Sequence, residues 1–189
     1  MYKKKWYDYL WIAELAYMLL GFVNILFAWL GMIFFTLPLL FAVFGGNKLY
    51  CNRYCGRSQL QDMLGREYKL SAGRPVPAFM RTKWFRCGFL AFFLAMFCNM
   101  LLTTYLVFSG GAELRQTVTL LWTLQLPWQW AYNGSAAPWA AQFAFGFYSV
   151  MLTSEIIGMV LMLLTKPRGW CVICPMGTMT QGICKMKHN

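Results

Sequence analysis

Two cysteine pairs carry the chemistry that this sequence offers. Cys51 and Cys55 stand in YCNRYCGRSQLQDMLG, and Cys171 and Cys174 stand in GWCVICPMGTMTQGICK. Each pair follows a long apolar stretch and precedes a short polar segment. Three and two intervening residues let both sulfurs of a pair reach one centre. Neither pair alone supplies the four thiolates that a structural zinc or an iron–sulfur cluster takes, but together they do. Each pair is therefore read as half of one site.

Spacing does not choose between zinc and a cluster, but the surroundings favour the cluster. Ser58 is placed to cap a helix over QLQDMLG, and after Pro175 the apolar residues Met176, Met179, Ile183 and Met186 recur at helical spacing. A helix that starts beside the sulfurs aims backbone N–H groups at an anionic centre. Arg53, Arg57, Lys166 and Arg168 add positive charge, which raises a cluster's reduction potential. The chain has seven cysteines in all. Cys98, midway along an apolar run, is read as packing. Cys87 and Cys184 are candidate additional ligands.

The elements that position these residues are apolar. The 189-residue chain is 59% hydrophobic and 12% charged, far too apolar for a soluble domain. The block from Leu10 to Phe44 would make a single helix about 52 Å long, against a hydrocarbon core about 30 Å thick. It is read as two short helices with a turn near Trp29 to Gly31. Further spans are expected over Phe85 to Phe108 and Gln142 to Leu164. Between them, residues 109–141 contain LLWTLQLPWQWAYNG, which suits a loop or short helix lying in the interface. MYKKKWYDYLWIAEL opens an apolar run longer than the core of a signal peptide. The fold class expected is all-α: a polytopic membrane protein of about four transmembrane helices. Residues 1–189 form a single membrane domain of two hairpin half-repeats, about 6–65 and 85–184.

The formal net charge of +11 is assigned to basic loops that anchor a membrane protein, not to nucleic acid. Residues 47–86 carry Lys48, Arg53, Arg57, Arg66, Lys69, Arg74, Arg81, Lys83 and Arg86, and the tail carries Lys166, Arg168, Lys185 and Lys187. The 109–141 loop has only Arg115. Positive loops stay inside, so both cysteine loops are expected to be cytoplasmic and the chain to lie in the inner membrane. Lys3, Lys4 and Lys5 join them if the first block is a hairpin. Cytoplasmic thiols are kept reduced, which favours metal binding over disulfides.

These residues resemble the membrane-bound 4Fe-4S proteins of the NapH-type quinol dehydrogenases and the membrane domain of NosR-type regulators. RGWCVICPMG matches the pair–proline–glycine pattern with its G-W-C lead-in, and LYCNRYCGRSQLQDMLG matches in its C-x-x-x-C spacing and following LQD-L. The sequence departs from the pattern in three ways. Gly56 rather than proline follows Cys55, the second pair has two intervening residues, and the soluble ferredoxin domain carried by many members is missing from these residues. The resemblance implies a 4Fe-4S cluster and electron transfer between a membrane quinol pool and redox partners, with quinone as a further cofactor. The partner expected is a redox subunit, a soluble ferredoxin or a flavoprotein. Without the ferredoxin domain, an electron-transfer subunit is expected rather than a complete enzyme.

Other chemistry is excluded or weighed. The only histidine is His188, which leaves no axial pair for a membrane cytochrome b, and there is no Walker loop, dinucleotide fingerprint or H-E-x-x-H. Glu155 lies in an apolar run and is a candidate proton or quinol site, against a neutral glutamate bonded between helices. Glu14 is read as structural. Two alternatives stand beside electron transfer. One is a metal-handling or assembly factor for copper or iron in a membrane redox complex, and the other is a structural subunit with a zinc–thiolate site.

Overall fold

A computed structural model of the chain describes residues 6–46, 49–121, 123–132, 134 and 136–187. Lys3, Lys4, Lys5, Lys48, Trp122 and His188 lie outside the described residues. The fold is mostly helical: α1 (Leu10–Val23), α2 (Gly31–Gly45), α3 (Gly56–Asp62), α4 (Lys83–Phe108), α5 (Pro138–Leu164), α6 (Trp170–Ile173) and α7 (Pro175–Lys187). Three helical stretches are long and apolar enough to cross a membrane: Ile25–Gly45, Lys83–Phe108 and Pro138–Leu164.

The first apolar block is broken, but not at the expected place. Asn24 is extended, with φ −143° and ψ 119°, and its side chain accepts the Leu26 N–H at 3.0 Å. That cap starts a 3-10 turn over Ile25–Leu30, which runs into α2 with Gly31 in helical conformation. No turn falls at Trp29 to Gly31, because a polar cap, not the glycine, interrupts the helical hydrogen bonds.

Residues 109–141 also differ from expectation. They hold an antiparallel hairpin, β1 (Thr117–Leu120) on β2 (Leu124–Pro127), so the fold is not purely helical. Thr117, Val118 and Thr119 are β-branched, and such side chains favour the pleated backbone. A short 3-10 turn over Gln129–Ala131 follows.

The chain divides into two compact units. The unit formed by Ala16–Ile33 and Phe92–Ser154 has a core of Ile25, Ala28, Val118, Trp128, Ala131, Ala144, Phe145 and Tyr148. Polar ties hold its hairpin to α5: the Thr119 N–H donates to Ser149 Oγ at 3.0 Å, and the Arg115 N–H to Gln142 Oε1 at 3.0 Å.

The other unit, Met1–Leu15, Phe34–Ala91 and Glu155–Asn189, contains both cysteine pairs. Here the loop after α3 is tied to the C-terminal end of α5. The Ala72 N–H donates to Leu163 O and the Gly73 N–H to Thr165 O, each at 3.0 Å, which satisfies carbonyls that the end of a helix leaves open. Trp170 and Ile173 of α6 are buried at 2% and 3% exposure and fix the loop that carries Cys171. Lys187 Nζ donates to Val43 O and Phe44 O at 2.9 and 3.0 Å, placing a cation at the C-terminal end of α2.

Candidate metal centre

The two cysteine loops repeat one local design. Cys55 is extended and stands at the N-cap of α3; Cys174 is likewise outside helical conformation, with ψ 124°, just before Pro175 opens α7. The carbonyl of Cys55 accepts the Gln59 N–H, and that of Cys174 accepts the Thr178 N–H, at 3.2 and 2.9 Å. The Ser58 backbone N–H acts electrostatically on the Cys55 sulfur and the Gly177 N–H on the Cys174 sulfur, each favouring the thiolate. Cys55 holds the N-cap position of α3 without a side-chain cap hydrogen bond. Ser58 is not the cap expected for α3; it lies inside that helix, which starts at Gly56.

The first cysteine of each pair reaches toward the other pair's helix. Cys171 Sγ donates to Ser58 Oγ at 3.5 Å, and Cys51 Sγ lies 3.9 Å from Thr180 Oγ1 on α7. Ser58 and Thr180 are buried, at 4% and 1% exposure. Neither hydroxyl stood out as functional in the sequence, although Ser58 follows Cys55 by three residues, the spacing that a helix cap selects.

None of the four sulfurs is joined in a disulfide among the described residues. Cys171 is exposed, while Cys51, Cys55 and Cys174 are half-buried. Loss of hydration pushes the Cys55 thiol well above its ordinary value; the Ser58 N–H opposes this, and the Cys174 and Cys171 thiols reinforce it. Burial likewise pushes Cys174 up to about 11, opposed by the Gly177 N–H and reinforced by Cys171 and Cys51. These sulfurs therefore sense one another across the two loops. A cavity of about 260 Å³ opens beside Cys51 and Cys55, lined also by Ser58, Gln59, Arg53 and Arg168; Cys171 and Cys174 are not among its lining residues. Among the described residues, no three Cys, His, Asp or Glu side chains form a set that could hold a single metal ion.

The basic residues separate into two kinds. Arg53 is exposed on the π-helical turn Tyr50–Tyr54, and its carbonyl accepts from Gln59 Nε2 at 2.8 Å. Arg168 is shared with Asp62, Nη2 to Oδ2 at 3.1 Å, which offsets part of its charge. Arg57 is the buried one, with its side chain 14% exposed. Burial works against its charge, but Glu155, Glu14, Cys55 and Cys174 outweigh that and hold it firmly cationic. Glu14 is therefore an ion-pair partner, and Glu155 is not a lone acid in an apolar helix: it meets the same guanidinium.

The remaining cysteines are placed apart in role. Cys87 is exposed on α4, and Cys184 is half-buried on α7. Cys98 is exposed on α4 rather than packed inside, since only Phe93, Met96 and Met100 of that helix are buried.

Four cysteine sulfurs on two helix-starting segments, beside a half-buried guanidinium, are a donor set whose chemistry fits an iron–sulfur cluster. A family model described as a 4Fe-4S binding domain matches residues 27–84 and 150–188, just over half of the chain, and takes in both cysteine pairs. The chain belongs to that family and is an iron–sulfur protein. Comparison with curated proteins and with solved structures gives no match.

Proposed function

We propose that Cys51, Cys55, Cys171 and Cys174 together hold one 4Fe-4S cluster, and that the protein relays electrons in a membrane. The observation that carries this reading is the reciprocal arrangement of the pairs. The second cysteine of each pair stands directly before its own helix, and the first lies within reach of a hydroxyl on the helix of the other. When bound, the cluster supplies a one-electron carrier. The chain's own groups hold it, offset its negative charge through Arg57, and limit water at the half-buried sulfurs.

The proposed topology is four spans in two hairpins, with both cysteine loops cytoplasmic in the inner membrane. Both cysteine pairs and the basic segments fall in one unit, and the charge-poor 109–141 loop falls in the other. The donor is a quinol pool or a cytoplasmic ferredoxin or flavoprotein, and the acceptor is a partner redox subunit. A lone carrier in one loop region cannot span a core about 30 Å thick, which favours a subunit role.

Anaerobic purification with iron, sulfide and zinc analysis tests the site. About four irons are expected, the content of a four-cysteine cluster, with loss of the cluster in both Cys51→Ala and Cys174→Ala. Loss in one variant only would break the shared site, and stoichiometric zinc without iron would end the redox reading.

A further inference from the structure

Glu155 stands in apolar α5 at 8% exposure. Its Oε2 lies 2.5 Å from Arg57 Nε, while its Oε1 is buried without a hydrogen-bond partner among the described residues. Glu14 of α1 accepts from the same guanidinium through one oxygen, 3.0 Å from Nη2 and 3.3 Å from Nε. One cation thus faces two carboxyl groups, which repel each other across it. Among the described residues, the Cys55 and Cys174 thiols also act on Arg57, and the Tyr50 phenol senses its charge. Arg57 is the cation acting on Glu155 among the described residues. Arg57 thus compensates the two carboxylates only in part, and a further negative charge arriving nearby is costly enough to tip one of them to its protonated form. Gln61 lies one turn along α3 from Arg57. It is fully buried, neither of its amide atoms has a partner among the described residues, and it packs against Gly158, one turn along α5 from Glu155. That leaves hydrogen-bonding capacity for water on the same seam.

We propose that Glu155 is a redox-linked proton site: it binds one proton when one electron enters the neighbouring iron–sulfur centre, with Arg57 and Glu14 setting the coupling. This rests on the cluster reading above. The electron comes from a one-electron reductant, dithionite in the test, and adds one negative charge at the centre. The proton comes from the aqueous phase and forms the O–H bond of the Glu155 carboxyl group. No bond to iron is made or broken, and the net charge of the site is conserved.

The test is a spectroscopic reduction titration of the full chain in detergent over a range of pH, after iron and sulfide analysis. The wild-type potential is expected to fall as pH rises, approaching about 59 mV per pH unit at full coupling. Glu155→Gln flattens that dependence and Glu155→Asp retains it. Glu14→Gln also flattens it, because Arg57 is then left wholly to an ionised Glu155. Infrared difference spectra of the wild type gain a carboxylic acid carbonyl band on reduction, which is absent from Glu155→Gln. An intact cluster with a pH-independent potential overturns the inference alone, as does a slope that survives in Glu155→Gln. Absence of iron and sulfide overturns the cluster reading instead, and the coupling with it. If Glu155→Gln fails to fold, the wild-type slope and infrared band still decide.

Discussion

Cys171 Sγ lies 3.5 Å from Ser58 Oγ, and that serine sits in the first turn of the helix that starts directly after Cys55. One residue therefore links both cysteine pairs. With a thiolate at residue 171, the hydroxyl becomes the donor, and donors to cluster sulfurs raise the potential. Ser58→Ala is expected to keep the iron content and to lower the midpoint potential. Loss of about 1 kcal/mol of hydrogen bonding corresponds to a shift on the order of 40 mV for one electron. An unchanged potential in an iron-replete variant would show that the hydroxyl does not act on the centre.

Arg57 holds two buried acids, so its loss leaves both unpaired. Arg57→Met is expected to destabilise the protein by about 3–5 kcal/mol, the usual cost of breaking a buried ion pair from one side. Adding Glu14→Gln and Glu155→Gln should recover most of that loss, because the uncompensated charge goes with them. Thermal unfolding in detergent at constant pH reads both changes.

Gly158 is where α5 makes room for α3. A Cβ there would lie 2.5 Å from Gln61 Nε2 and 3.3 Å from Trp170 Cγ. Gly158→Ala should cost about 1–3 kcal/mol through overpacking and weaken cluster retention, since Trp170 supports the Cys171 loop. Partial recovery is expected in Gly158→Ala/Gln61→Ala, and no recovery would place the clash elsewhere.

With the metal removed, the thiols should differ in reactivity. Exposed Cys171 is expected to be alkylated first by iodoacetamide, with Cys55 and Cys174 slow because burial disfavours their thiolates. The folded-state value of Cys174, about 11, lies above the ordinary 9.0. A raised thiol stabilises the fold fully below the ordinary value and loses that contribution as pH climbs through the raised one. Unfolding of metal-free protein should show up to about 2 kcal/mol lost over that alkaline window, and Cys174→Ser should remove that part.

The cysteine spacing and the long apolar runs were legible because each is a local property of the chain. Pro175 marked the start of α7 for the same reason, since proline suits the first helical position. The cap of α3 was misassigned to Ser58 because capping rules rank oxygen side chains, whereas the N-cap position falls three residues earlier, on Cys55. The break at Asn24 had a local signal, a lone amide in FVNIL, that the glycine of WLG overshadowed. The hairpin at Thr117–Pro127 was missed because tryptophan and proline drew the segment toward the interface, while its short β-branched run spoke for strands. The joining of Glu14, Arg57 and Glu155 depends on contacts between residues more than 40 positions apart, which no local pattern encodes.

The two cysteines that stand directly before helices, Cys55 and Cys174, lie far apart in the order of synthesis. A centre shared between them can close only once the ribosome has delivered the last long apolar helix and the loop beyond it. Until then the first loop waits with half its ligands. Maturation is thereby tied to completed insertion, and a chain stalled before residue 171 would carry no inorganic cargo to misdirect electrons.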